Sequence, residues 1–118
     1  MKTNGEYRFT RLRVLHIAKG YLECGWTQGV SREYKNGRDC FCVTGALNQA
    51  VEDCKLNPVV MRPIMYRDIC VTIRPSLAKI ADNWMGSRLA HWNEHPERTQ
   101  KEVLTMVDRT IKRLEGAL

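Results

Sequence analysis

No apolar run in this sequence approaches the roughly 18 residues that suggest a membrane span, and its first residues, MKTNGEYRFTRLR, lack the apolar core of a secretory signal. A soluble, cytoplasmic protein is expected, with no membrane contact. No block of five or more like charges occurs, although nineteen Lys and Arg outnumber thirteen Asp and Glu. The net charge of +6 and the pI near 9.3 therefore describe a solvated basic surface, with acids interspersed. That surface permits weak contact with nucleic acid, but no helix-turn-helix, zinc-finger or aromatic RNA-binding signature accompanies it. Cys-x-x-Cys spacing is missing too. The nearest pair is Cys40 and Cys42, poor zinc spacing even with His91 or His95 added, and Cys54 is too remote to join them. Neither a metal nor another cofactor is expected. Five cysteines, an odd number with three on or beside helical apolar stripes, read as reduced thiols and not as a disulfide framework.

What the chain does contain is organised around residues 24–50, CGWTQGVSREYKNGRDCFCVTGALNQA. Gly25 suits a helix-ending position that wants φ > 0, and Asn36-Gly37 signals a type I′ turn after an extended stretch at 31–34. Asp39 then falls where a helix N-cap belongs. From there Val43, Ala46, Leu47, Ala50, Val51 and Cys54 form one stripe of a 3.6-residue period.

Along the rest of the chain, residues 1–9 read as a lead-in that frays. A first helix over 10–24 has Val14, Ile17, Ala18, Tyr21 and Leu22 inside and Leu15 at the edge. The second helix stops near Lys55, ahead of Asn57-Pro58. Residues 58–74 combine β-branched residues with an internal Pro63, which favours a loop followed by a short helix. Pro75-Ser76 opens a helix whose face is Leu77, Ile80, Ala81, Trp84 and Met85, ended by Gly86. A short segment over 87–92 and a loop over 93–96 follow. Thr99 and Glu102 then make a capping box, and Val103, Leu104, Val107, Ile111 and Leu114 stripe the last helix. With 118 residues, 43% of them apolar, the chain can fill one modest core, so a single domain over 1–118 is expected. The fold class is mainly α (α+β): four to five helices with one short β-hairpin between the first two.

Gly25-Trp26 with Gln28-Gly29, then Cys42 with Gly45-Ala46, then Trp92-Asn93 followed by Glu102-Val103-Leu104 resembles a family of small bacterial and phage proteins known as domain of unknown function 6197. Its pattern is GW-x-QG, C-x-x-GA, and WND before a helix with EVL. The likeness covers residues 14–54 and 89–114 and departs at Glu94, where the family usually carries Asp. It implies the motif boundaries and a phage or bacterial origin; it implies no reaction.

Three kinds of site are open. A thiol in the first turn of a helix is activated by unpaired amides and the helix dipole, so Cys42 or Cys40 with His91 as base, Asn93 as its orienter and Gln28 as an oxyanion donor would form a thiol-dependent hydrolase or transferase. Core packing is the better reading of both cysteines, and Asp39 beside them opposes a thiolate. Trp26, Gln28, Trp92 and Asn93 are candidate binding residues, though a Trp at a chain reversal also fastens a core, and buried amides usually satisfy loop backbone. In that fastening role the shape of Trp26 is expected to matter more than its indole N–H. Arg32, Lys35 and Arg38 on the hairpin, with Lys101, Arg109, Lys112 and Arg113 on the last helix, would be the nucleic-acid contacts. Taken together, the sequence points to a small non-catalytic accessory protein of phage or mobile-element type that binds a bacterial protein partner.

Overall fold

The computed structural model describes residues 7–80 and 84–116. Helix α1 (Arg8–Cys24) starts two residues earlier than its apolar stripe required; residues 1–6 of the expected lead-in lie outside the described residues. It buries Val14, Leu15, Ala18 and Leu22, so Leu15 belongs to the centre of the face, while Ile17 and Tyr21 are half-buried. Gly25 ends the helix in extended backbone, φ −176°, which corrects the left-handed cap expected there. Its requirement is space. A Cβ at Gly25 would lie 2.6 Å from Cys40 Sγ and 2.7 Å from the Asp39 carbonyl oxygen.

That crowding arises because the chain leaving α1 runs alongside a hairpin. Strands β1 (Arg32–Lys35) and β2 (Arg38–Phe41) pair antiparallel, Arg32 opposite Phe41 and Lys35 opposite Arg38. The turn between them has φ 54° at Asn36 and 77° at Gly37, as a type I′ turn demands. On the other edge of β2, Phe41 N–H donates to Gly25 O (2.9 Å) and Thr27 N–H to Phe41 O (3.0 Å). Pairing on both sides holds the backbone extended through Phe41. Asp39 is therefore a strand residue opposite Tyr34, not the N-cap of the next helix.

Helix α2 (Val43–Asp53) begins four residues later, capped by Cys42, whose sulfur accepts from Gly45 N–H at 3.3 Å. Gly45 lets the hairpin close onto this turn: a Cβ there would sit 2.0 Å from Ser31 O, the same carbonyl that accepts Cys42 N–H at 3.1 Å. The stripe Val43, Ala46, Leu47, Ala50 and Val51 is buried as its spacing predicts, with Cys54 half-buried.

Residues 58–73 form one helix, α3 (Pro58–Ile73), in place of the expected loop and short helix. Pro58 takes the first helical position, where its missing N–H costs nothing, and the Asn57 side chain caps it by accepting Val59 N–H at 3.0 Å. Pro63 removes one bond, to the carbonyl of Val59, on a stretch where Val59 is 81% exposed, so solvent takes that carbonyl and the helix continues. Met61, Met65, Asp68 and Ile69 face inward. The helix expected from Pro75 to Gly86 is instead a 3-10 turn (Pro75–Lys79) and, beyond three residues that include Ala81 and lie outside the description, α4 (Met85–Asn93). Of the expected face, Leu77 and Met85 are buried but Ile80 and Trp84 are exposed. Gly86 sits inside α4, within a Cβ's reach (3.2 Å) of the Tyr66 ring, so it is a packing contact and not a stop signal.

Helix α5 (Gln100–Gly116) carries the predicted capping box: Glu102 N–H donates to Thr99 Oγ1 (3.2 Å) and Thr99 N–H to Glu102 Oε1 (3.0 Å). It buries Val103, Val107, Ile111 and Leu114, with Leu104 at the edge. Helix α1 packs on α2 and α5, and α3 on α2, α4 and α5, around one core. A buried ion pair ties this layer together. Arg11 of α1 donates to the Asp68 carboxylate of α3, Nε to Oδ2 at 2.9 Å, and Arg113 of α5 donates to Asp68 O at 2.7 Å.

Candidate functional site

Asn93, the last residue of α4, is 1% exposed, and both polar atoms of its amide are engaged. Its Oδ1 accepts from Trp26 Nε1 (2.8 Å) and from Val43 N–H (3.1 Å), and its Nδ2 donates to Thr27 O (3.2 Å) and the Glu94 carboxylate (3.3 Å). Val43 N–H is one of the donors that a helix start leaves without an intrahelical acceptor. One side chain thus joins the chain after α1, the start of α2 and the end of α4. Gln28 repeats the pattern in reverse, its Nε2 donating to Asn93 O (2.8 Å) and His95 O (2.9 Å). The Glu94 carboxylate accepts Gly29 N–H, 2.9 Å from Oε2. Trp26, Gln28, Gly29, Cys42, Gly45 and Asn93, scattered over 68 positions of sequence, meet at this junction.

The two thiols lie beside it. Cys42 Sγ is 3.0 Å from Thr44 Oγ1 in addition to its bond from Gly45 N–H, and it lines a cavity of about 170 Å3 with Ser31, Thr44, Asn93 and Glu94. Cys40 is buried on β2 against Gly25, its sulfur directed to Arg38 O at 3.9 Å. Neither stands in the first turn of α2. His91 is exposed on α4 and lines a different cavity from Cys42, and no hydrogen bond among the described residues joins it to either sulfur. Nor do three His, Cys, Asp or Glu side chains gather as a metal would require among the described residues, so the set of Cys40, Cys42 and His91 or His95 is not assembled.

The basic hairpin residues are occupied by their own neighbours. Arg32 pairs with Asp39 at 3.0 Å and lies over the Phe41 ring, Lys35 reaches Glu33 (3.3 Å) and Thr27 (3.2 Å), and Arg38 donates to Cys24 O. The Thr27 hydroxyl and then Lys35 hold the Glu33 carboxyl below its ordinary range. Arg113, counted from sequence among the outward cations, turns instead to Asp68 O and Thr72. Lys101 and Arg109 line a second cavity, of about 310 Å3, with Trp92 and Arg98.

The largest concavity is elsewhere, and sequence reasoning missed it. A groove of about 520 Å3 runs between the C-terminal end of α3, the 3-10 turn and α4, walled by Ile73, Leu77, Trp84 and Trp92, with Arg74, Arg88 and His91 also lining it. Trp84 is 70% exposed. Trp92 is half-buried, packed on the core and clamped by the Arg98 guanidinium 3.9 Å from its ring centre. Trp84 escaped notice because the spacing of Leu77, Ile80 and Trp84 assigned it to the inner face of one long helix. The Asp82-Asn83 pair just before it, residue types that favour helix starts, was the available signal of a break.

A small helical domain, in which one buried amide fastens a hairpin to a helix pair, is the class that this fold and junction define. The chain belongs to the family of unknown function DUF6197, whose sequence model matches residues 7–113, the middle segment included. No curated protein and no solved structure matches it. Among the described residues, no helix is long and apolar enough to cross a membrane.

Proposed function

We propose that this chain is a small, non-catalytic accessory protein, of the kind that phages and mobile elements encode, and that it binds a bacterial protein partner in the host cytoplasm through the groove between α3 and α4. The observation that carries the reading is Trp84. A tryptophan 70% exposed beside an apolar groove is costly to leave in water and is the residue type most enriched in the energetic centres of protein interfaces. The motif residues, by contrast, turn their polar groups inward, which supports a structural duty for them. The test is affinity capture from bacterial lysate with wild-type and Trp84→Ala baits. Exposed as it is, the substitution should shift stability by no more than about 0.5 kcal/mol, while a partner recovered by the wild type should be lost. Equal recovery on both baits would count against the groove.

A thiol-dependent hydrolase or transferase is the second reading, supported by the Cys42 sulfur at the start of α2 beside the small cavity that Thr44, Asn93 and Glu94 share. Rapid alkylation of Cys42 in the folded protein at neutral pH would put that reading first; slow alkylation favours the binding protein.

A further inference from the structure

The residues around the groove also specify what should lie in it. Its apolar walls come from α3, the 3-10 turn and α4, and its charged contributors are Arg74, at the end of α3, and Arg88, on α4, with the imidazole of His91. No carboxylate lines it among the described residues. Two guanidiniums on separate elements, flanking an apolar floor, are complementary to an occupant with an apolar centre and carboxylates on its flanks. Arg67 stiffens the base of the groove by donating to Leu77 O (3.3 Å) and Ala78 O (2.8 Å), so the walls are held before anything binds.

The kind of occupant follows from size and exposure. At about 520 Å3 the groove has the volume of a small-molecule cleft, but such clefts enclose most of their ligand, and here the lip residue Trp84 is 70% exposed. A chain that continues past the groove covers that indole; a small ligand seated within it does not. A second copy of this protein is disfavoured, because an isologous pairing through this face would bring Arg74 and Arg88 against their own equivalents. A nucleic acid is disfavoured as well, since it needs a track of cations along a backbone and not two arginines around an apolar floor.

We propose that the groove takes a short acidic segment of the protein partner, seating one large apolar side chain among Leu77, Trp84 and Trp92 while neighbouring Asp or Glu side chains reach Arg74 and Arg88. This rests on the partner-binding reading above. The experiment is selection from a random peptide display library on the full-length chain, followed by fluorescence-anisotropy titration of the selected peptides against wild type, Trp84→Ala and the double variant Arg74→Glu/Arg88→Glu, each first checked for unchanged circular dichroism and melting temperature. The expected peptides carry an aromatic or aliphatic residue next to Asp or Glu. Their affinity should fall by about tenfold or more in both variants and weaken with added salt, and the double variant should instead prefer Lys-substituted versions. Peptides without acidic residues that bind the double variant as well as the wild type, yet fail on Trp84→Ala, would overturn the acidic segment and leave partner binding standing. Failure to select any Trp84-dependent peptide, or Trp84-dependent binding confined to an RNA oligonucleotide or a fatty acid, would overturn both.

Discussion

Cys42 occupies a position that serine, threonine, aspartate or asparagine usually fills. Its sulfur accepts Gly45 N–H and contacts the Thr44 hydroxyl, so it acts as a weak version of the usual oxygen cap. Cys42→Ser should be neutral or slightly stabilising, whereas Cys42→Ala should cost about 1 kcal/mol; chemical denaturation of the two variants checks the order. Cys40 is different, because it is buried against Gly25 with only a long contact to Arg38 O, and Cys40→Ser should cost about 1–3 kcal/mol for a poorly satisfied hydroxyl. At Trp26 the indole N–H matters as well as the shape. Trp26→Ala should lose about 3–5 kcal/mol as a large aromatic truncation, but Trp26→Phe should still lose about 1 kcal/mol, since it removes one of the two donors to Asn93 Oδ1. Full recovery of wild-type stability by Phe would show that the bond is dispensable.

Among the elements, α3 carries the least readable part of the fold and its most heavily buried charge. Asp68 is 5% exposed and Arg11 9%, and the hydrogen bond to Asp68 pushes the Arg11 guanidinium up from its ordinary value against the opposing effect of burial. Asp68→Asn should therefore destabilise by about 3–5 kcal/mol, because it strands a buried cation, while replacing both partners by Met and Leu should restore most of that. An Asp68→Asn protein that melts like the wild type would mean that water reaches the pair. The legibility of the elements follows from the range of the forces that build them. Helices α1, α2 and α5 declare themselves through apolar spacing and the Thr99–Glu102 box, and the hairpin through Asn36-Gly37. The boundary of α2 was misplaced by three residues because the second edge of β2 is covered by Gly25 to Thr27, a pairing with no local signature. The continuity of α3 was hidden by Pro63, whose cost depends on whether the Val59 carbonyl is wet. The Arg11–Asp68 pair joins positions 57 apart, and neither residue's neighbours announce it.

For the molecule as a whole, two surfaces divide the work. The junction of Trp26, Gln28, Cys42 and Asn93 was legible as a set of residues through the family pattern, but its wiring was not, because each bond crosses from one end of the chain to the other. The groove at Trp84 was not legible at all, since exposure there depends on a chain break that apolar spacing disguised. The account assigns the family's motif residues to holding the fold and leaves the groove to the partner, and thermal unfolding of Asn93→Ala beside Trp84→Ala tests that division most directly. Losing the amide strands the indole N–H, the Val43 N–H and the Thr27 carbonyl, so Asn93→Ala should lose about 3 kcal/mol or more and melt roughly 10 °C lower, while Trp84→Ala should melt as the wild type does. An Asn93→Ala protein with an unchanged melting temperature, alongside a Trp84→Ala protein that unfolds early, would contradict it.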